Sequence, residues 1–181
     1  MPVPLTGAIN LNKCHREAGG TNFSQVGMGD SDMRALANDF SGQIAMSQFR
    51  GGCTVTQGYN GTSLFGYSDG THGSGDAAYG SVTKIHNVGI SGVDLERLSY
   101  TKITTTIKGV TTTSHYFNVS FAGNRGQSFF TSVFESSLGT LLTSNATHSY
   151  VSAQNYTNWN WTLSSEPSNW DGSGALKVKL A

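Results

Sequence analysis

The side chains through which chemistry could run are few and scattered. Five histidines, His15, His72, His86, His115 and His148, show no spacing that would bring two of them onto one metal ion. The two cysteines, Cys14 and Cys53, have only His15 beside them, too few soft ligands for a zinc site. Two readings of the thiols stand. They are unrelated, or they form a disulfide closed after lysis exposes the protein to oxygen, within one chain or between subunits. Eleven carboxylates single out no facing pair of the kind glycoside hydrolysis needs. Asp69 and Asp76 come nearest to a calcium loop but lack its clustered oxygen ligands. Gly70-Thr71-His72-Gly73-Ser74-Gly75 mixes His and Ser, yet it lies in a glycine-rich stretch between strands and reads as a surface loop. No strand–glycine loop–lysine–helix motif is present to cradle a phosphate. The residues therefore predict no catalytic centre, no cofactor and no metal.

Composition narrows the partners. Lys+Arg and Asp+Glu balance at 11 each, and no basic stripe exists to neutralise phosphates, which argues against nucleic acid. Hydrophobic residues make up 36% and charged ones 12%. The balance is rich in Gly, Ser, Thr and Asn, which is not the high-charge composition of a disordered chain. No apolar run is long enough to span a bilayer, so no membrane insertion is expected. The opening Met1-Pro2-Val3-Pro4-Leu5-Thr6-Gly7 lacks the basic and apolar regions of a signal peptide, so synthesis in a cytosol is expected. Near-neutrality also removes colloidal repulsion, which suits a subunit of an assembly.

The elements that would position any site divide near Gly51-Gly52. Residues 1–52 read as a small helical segment and residues 53–181 as a β domain. Asn10 can cap a helix over 11–18 that Gly19-Gly20 ends. Asp30 or Ser31 can cap a second over 32–40, where Met33, Leu36, Ala37 and Phe40 form one apolar stripe. A further helical turn is expected over 44–49. Helices this short need a surface to pack on. Downstream, strands are expected over 53–56, 64–67, 82–85, 98–108, 115–121, 129–134, 149–151, 158–163 and 176–180. Turn signals recur between them at Asp69-Gly70, Gly123-Asn124 and Asp171-Gly172. The pattern fits a mainly β fold, an antiparallel β-sandwich of Ig-like or jelly-roll-like kind. Trp159-Asn160-Trp161 places two indoles on one face, more in keeping with core filling than with a ligand platform.

The first quarter of the chain resembles an N-terminal element of tailed-bacteriophage structural proteins. The resemblance rests on Gly7-Ala8-Ile9-Asn10-Leu11-Asn12 and then Arg16-Glu17-Ala18-Gly19-Gly20-Thr21. Asp30-Ser31-Asp32-Met33-Arg34-Ala35-Leu36 and Ser41-Gly42-Gln43-Ile44-Ala45-Met46-Ser47-Gln48-Phe49-Arg50-Gly51 follow in order. Cys14 departs from the pattern, standing where an apolar residue is commoner. The tracts Leu64-Phe65-Gly66-Tyr67-Ser68 and Gly126-Gln127-Ser128-Phe129-Phe130-Thr131-Ser132-Val133 are similar to β domains that follow this element.

The resemblance implies a non-enzymatic virion protein, made in the bacterial cytoplasm and tail-associated at a baseplate, collar or fibre base. It implies docking on other virion proteins, with Ile9, Leu11, Met33, Leu36, Phe40, Ile44, Met46 and Phe49 forming the apolar part of the docking lobe. A homo-oligomer in the particle is also expected. Two alternatives stay open. One is a capsid decoration protein. The other is a module binding a host-surface glycan through Tyr59, Tyr67, Trp159, Trp161 and Trp170.

Overall fold

Apolar residues recurring at every second position dictate the second part of the chain, because successive side chains of a strand point to opposite faces. The computed structural model describes residues 8–21, 25–37, 43–49, 52–59, 64–68, 81–82, 93 and 95–181. Among them lie helices α1 (Leu11–Glu17) and α2 (Ser31–Ala37) and a 3-10 turn, Met46–Phe49. The strands that follow are β1 (Gly52–Thr56), β2 (Gly58–Tyr59), β3 (Leu64–Ser68), β4 (Ser81–Val82), β5 (Leu95–Ile107) and β6 (Val110–Ala122). Then come β7 (Ser132–Glu135), β8 (Gly139–Leu142), β9 (Thr147–Val151), β10 (Tyr156–Leu163) and β11 (Ala175–Leu180), with a 3-10 turn at Thr143–Asn145.

The strands form two antiparallel sheets, ordered β4-β1-β11-β7-β8 and β2-β3-β5-β6-β10-β9. Their facing sides share one core. Val55, Val133, Leu176, Val178 and Leu180 come from the first sheet, and Leu98, Tyr100, Phe117, Val119, Phe121, Trp159 and Trp161 from the second. This is the mainly β architecture the alternation predicts, with two sheets packed as in a sandwich. Aromatic rings dominate the interior. Phe130 meets Trp159 edge to face at 4.9 Å between centroids, and Phe117 meets Trp170 at 5.1 Å. Such pairs add to the large area each ring removes from water.

Several elements differ from the sequence expectation, among them the two-residue β2, which it did not include. The strand expected over 129–134 begins only at Ser132. Phe129 and Phe130 instead sit in a turn, closed by the Phe129 amide on the Gly126 carbonyl at 3.0 Å, and Phe130 is buried. β8 has too short and too mixed a sequence to signal itself. The expected strand over 98–108 is one arm of a hairpin of two 13-residue strands, β5 and β6. Its turn is Lys108-Gly109, with φ of 52° and 79°. Two successive left-handed residues make the tight turn whose twist matches paired strands, and Gly109 suits it. Residues 38–40, including Phe40, lie outside the described residues, as do the turn at Asp69-Gly70 and the loop Gly70–Gly75 with Asp76.

A buried carboxylate anchors the loop before β11. Glu135 is 1% exposed, and its two oxygens accept from six donors. These are the Ser136 hydroxyl (2.7 Å), the Ser137 amide (2.9 Å) and hydroxyl (2.6 Å), the Leu138 amide, Asn169 Nδ2 (2.9 Å) and Trp170 Nε1 (3.3 Å). Burial alone would raise the carboxyl's pKa. The bonds from Ser137, Asn169 and Ser136 outweigh it, so the group titrates below its ordinary value of 4.5. Gln57 secures the other side of the loop, donating to the Asn169 and Ser173 carbonyls at 2.8 and 2.6 Å. The Glu135 contribution is therefore fully present above about pH 4.5 and is lost as pH falls through the lowered folded-state value. Glu135→Gln is expected to cost about 1–3 kcal/mol at pH 7, read by urea denaturation. Wild type and variant should converge in stability near the acid limit of the fold.

Candidate functional site

The described residues between Ala8 and Phe49 build a small lobe with a core of its own. Cys14, Ala18, Met33, Leu36, Ala37, Ile44 and Phe49 are buried together, with Ile9, Leu11, Val26 and Met46 packed against them. Its motifs are helix-end devices. Asn10 caps α1 by accepting from the Lys13 amide at 2.9 Å. Ala18-Gly19-Gly20 closes the same helix, with the Gly20 amide on the His15 carbonyl (2.8 Å) and the Gly19 amide on the Arg16 carbonyl (3.2 Å). This paired closure needs a left-handed residue, which Gly19 supplies at φ 103°. Gly20 has a different reason to lack a side chain, since a Cβ there would lie 2.0 Å from the His15 ring. At α2, the Asp30 carbonyl accepts from the Arg34 amide at 2.9 Å. The Asp30 carboxylate turns back to the Gly27 amide at 2.9 Å.

The lobe is fastened to the outer face of the first sheet. Gly52 and Thr54 of β1 stand opposite Lys179 and Lys177 of β11, on the side away from the shared core. Glu17, the last residue of α1, is fully buried there. Its carboxylate accepts from the Thr54 amide, and its carbonyl accepts from the Thr54 hydroxyl. Lys177 reaches the Thr54 hydroxyl at 2.8 Å, and Lys179 reaches the carbonyl of Ala37, the last residue of α2, at 3.1 Å. Both lysines thus sit at the carbonyl ends of helices, where the helix dipole favours a cation. At Gly52 a Cβ would lie 2.9 Å from Leu36, so glycine allows α2 to approach the strand closely.

Of the residues assigned to docking, Met33, Leu36, Ile44 and Phe49 face into the lobe, and Ile9, Leu11 and Met46 are half-buried at its margin. Phe40 is outside the described residues. Cys14 is a free thiol, fully buried. Burial raises its pKa to about 11, the nearby Glu17 charge adding to the effect. The side chains of Cys53, Tyr59 and Tyr67 are outside those described. The ligand-facing reading of Trp159, Trp161 and Trp170 is corrected: they are 0%, 3% and 1% exposed. Their Nε1 groups donate to the Gln127 carbonyl (3.1 Å), the Leu142 carbonyl (2.8 Å) and Glu135. These three indoles offer no face to a sugar: the two-residue repeat of β10 turns Trp159 and Trp161 inward, and Trp170 is buried against Phe117.

A groove of about 570 Å³ runs past Gln57, Glu135, Asn169, Asp171 and Lys177. Its two carboxylates are engaged, Glu135 as above and Asp171 by the Ser173 amide and hydroxyl at 2.9 and 2.8 Å. Among the described residues no group of three His, Cys, Asp or Glu could hold a metal ion, and no helix is long and apolar enough to cross a membrane. Sequence reasoning missed one surface. The distal half of the β5–β6 hairpin exposes Ile103 (49%), Ile107 (66%) and Val110 (65%). Lys108-Gly109 between two threonine-rich, β-branched runs was the available signal.

Thr54→Val removes the hydroxyl shared by Glu17 and Lys177. It is expected to loosen the lobe by about 1–2 kcal/mol and to speed alkylation of Cys14 in the native protein, followed by peptide-mapped mass spectrometry. In wild type Cys14 should react slowly at pH 8 and rapidly once denatured, since burial shields it and disfavours the thiolate. Comparison with protein-family models, with curated proteins and with solved structures finds no match for this chain.

Proposed function

We propose that the chain is a non-enzymatic structural protein of a bacteriophage virion, tail-associated at a baseplate, collar or fibre base. Residues 1–52 dock on another virion protein, and the Ig-like or jelly-roll-like sandwich is displayed beyond them. The observation that carries this reading is the ordered series of motifs in residues 7–51, which resembles the attachment element of such proteins. The lobe supports it by its build. It has its own core, short capped helices and a polar fastening to β1 and β11, so a small attachment unit is held rigidly against a larger body. Several copies would assemble in one particle. Burial of the three tryptophans leaves the glycan-binding alternative without its main platform.

The test is location and number. Quantitative mass spectrometry and immunogold labelling of purified particles should find the chain at the tail in roughly a few to a few dozen copies, as tail symmetry allows. Hundreds of copies spread over the head would replace the tail assignment with capsid decoration. Presence in the lysate with absence from the particle would overturn the virion reading. Ile9→Asp, at the margin of the lobe, is expected to lower incorporation while the purified chain keeps its fold.

A further inference from the structure

The β5–β6 hairpin outruns its sheet. β3 accompanies β5 only as far as Thr101, opposite Leu64, and β10 accompanies β6 only from His115, opposite Leu163. Beyond those pairs, no strand flanks the ribbon among the described residues, and residues 103–113 are all exposed. A two-stranded ribbon exposed on both faces is marginal by itself. Exposed edges are ordinarily protected by charge, proline or a bulge. This one carries no acidic residue and no proline. Its single distal charge, Lys108, is in the turn, while Lys102 at the base is held by Glu166 at 2.6 Å.

We infer that two copies of the chain join through this free edge of β5, pairing antiparallel about a two-fold axis at Thr105. The sequence Ile103-Thr104-Thr105-Thr106-Ile107 reads the same in both directions. An antiparallel partner therefore sets Ile103 opposite Ile107, Thr104 opposite Thr106 and Thr105 opposite its own copy, as an isologous contact requires. The backbone is in phase with that register. A two-residue turn makes Ile107 and Val110 a bonded pair, so bonded pairs recur at Thr105–Thr112 and Ile103–Ser114. The amides and carbonyls of Thr104 and Thr106 then point off the free edge, and they are the residues the register sets opposite each other.

The side chains agree as well. Ile103, Ile107 and Val110 share one face, so pairing brings the isoleucines of two copies together beside each valine. On the other face the threonines already bond across the ribbon, Thr106 to Thr111 at 2.9 Å and Thr104 to Thr113 at 3.3 Å. The lengths match too. The free edge runs from Lys102 to the turn, so the tip of one ribbon ends where the body of its partner begins. This pairing stands apart from the virion reading, because it is a property of the purified chain.

Sedimentation of the full-length chain over a range of concentrations should show a dimer. Thr104→Pro removes an outward amide without removing a bond inside the ribbon, and should weaken the dimer by on the order of tenfold or more. Thr113→Pro does the same on the opposite edge and should leave the dimer intact. Thr105→Cys should form a covalent dimer on mild oxidation, its copies lying about 4.5 Å apart between Cα atoms in a non-bonded pair. Thr112→Cys should not, with the wild-type chain controlling for Cys14 and Cys53. A chain monomeric at every concentration would overturn the inference. So would equal weakening by both prolines, or cross-linking at Thr112 in preference to Thr105.

Discussion

The inward alignment of Trp159 and Trp161 on β10 is the constraint on which the sandwich depends. One intervening residue puts both indoles on the same face, and that face closes against the other sheet. Trp159 then touches Phe121, Phe129, Phe130 and His148, so rings from β6, β9 and the turn before β7 converge on it. A buried indole also needs an acceptor. The carbonyls of Gln127, in the turn before β7, and of Leu142, at the end of β8, serve. Packing and polar satisfaction therefore act together, and those two segments are set in place by the same two side chains that fill the core.

The outer face of the first sheet is governed by different physics. Little apolar area is available on β1 and β11 there, and the lobe meets them through backbone carbonyls, a carboxylate, a hydroxyl and two lysines. Such a seam is directional where a hydrophobic one is not. Each helix ends with unsatisfied carbonyls, and Lys177 and Lys179 supply donors at those ends. The lobe is too small to be stable alone, and the sheet completes its termini. Gly52 contributes by what it lacks, letting Leu36 come down onto the strand.

The distal β5–β6 ribbon follows a third rule. Its threonines and isoleucines favour strands, but no layer covers them. Cross-strand hydroxyl pairs and the tight turn hold the register where packing cannot. The result is an extension whose edge has unspent backbone bonding capacity, in contrast to the buried Glu135 carboxylate with its six donors.

What the sequence by itself determined was periodic or local. Alternation placed nearly every long strand, and caps placed the helices, because both depend on neighbours a few residues away. Asn10 and Gly19-Gly20 were legible for that reason, as was the shared face of Trp159 and Trp161. Whether those indoles face a ligand or a core is a question of what lies opposite, and only the first sheet, packed across the core from β10, answered it. The same holds for Glu135, whose donors come partly from residues 169 and 170, and for Glu17, whose partner Thr54 is far along the chain. Phe129 and Phe130 looked like strand because their types favour it, yet the depth of the core drew Phe130 out of a turn. The exposed half of β5 was legible as strand. That it stands beyond the sheet was decided by where β3 and β10 stop, a property of register that no window of sequence contains.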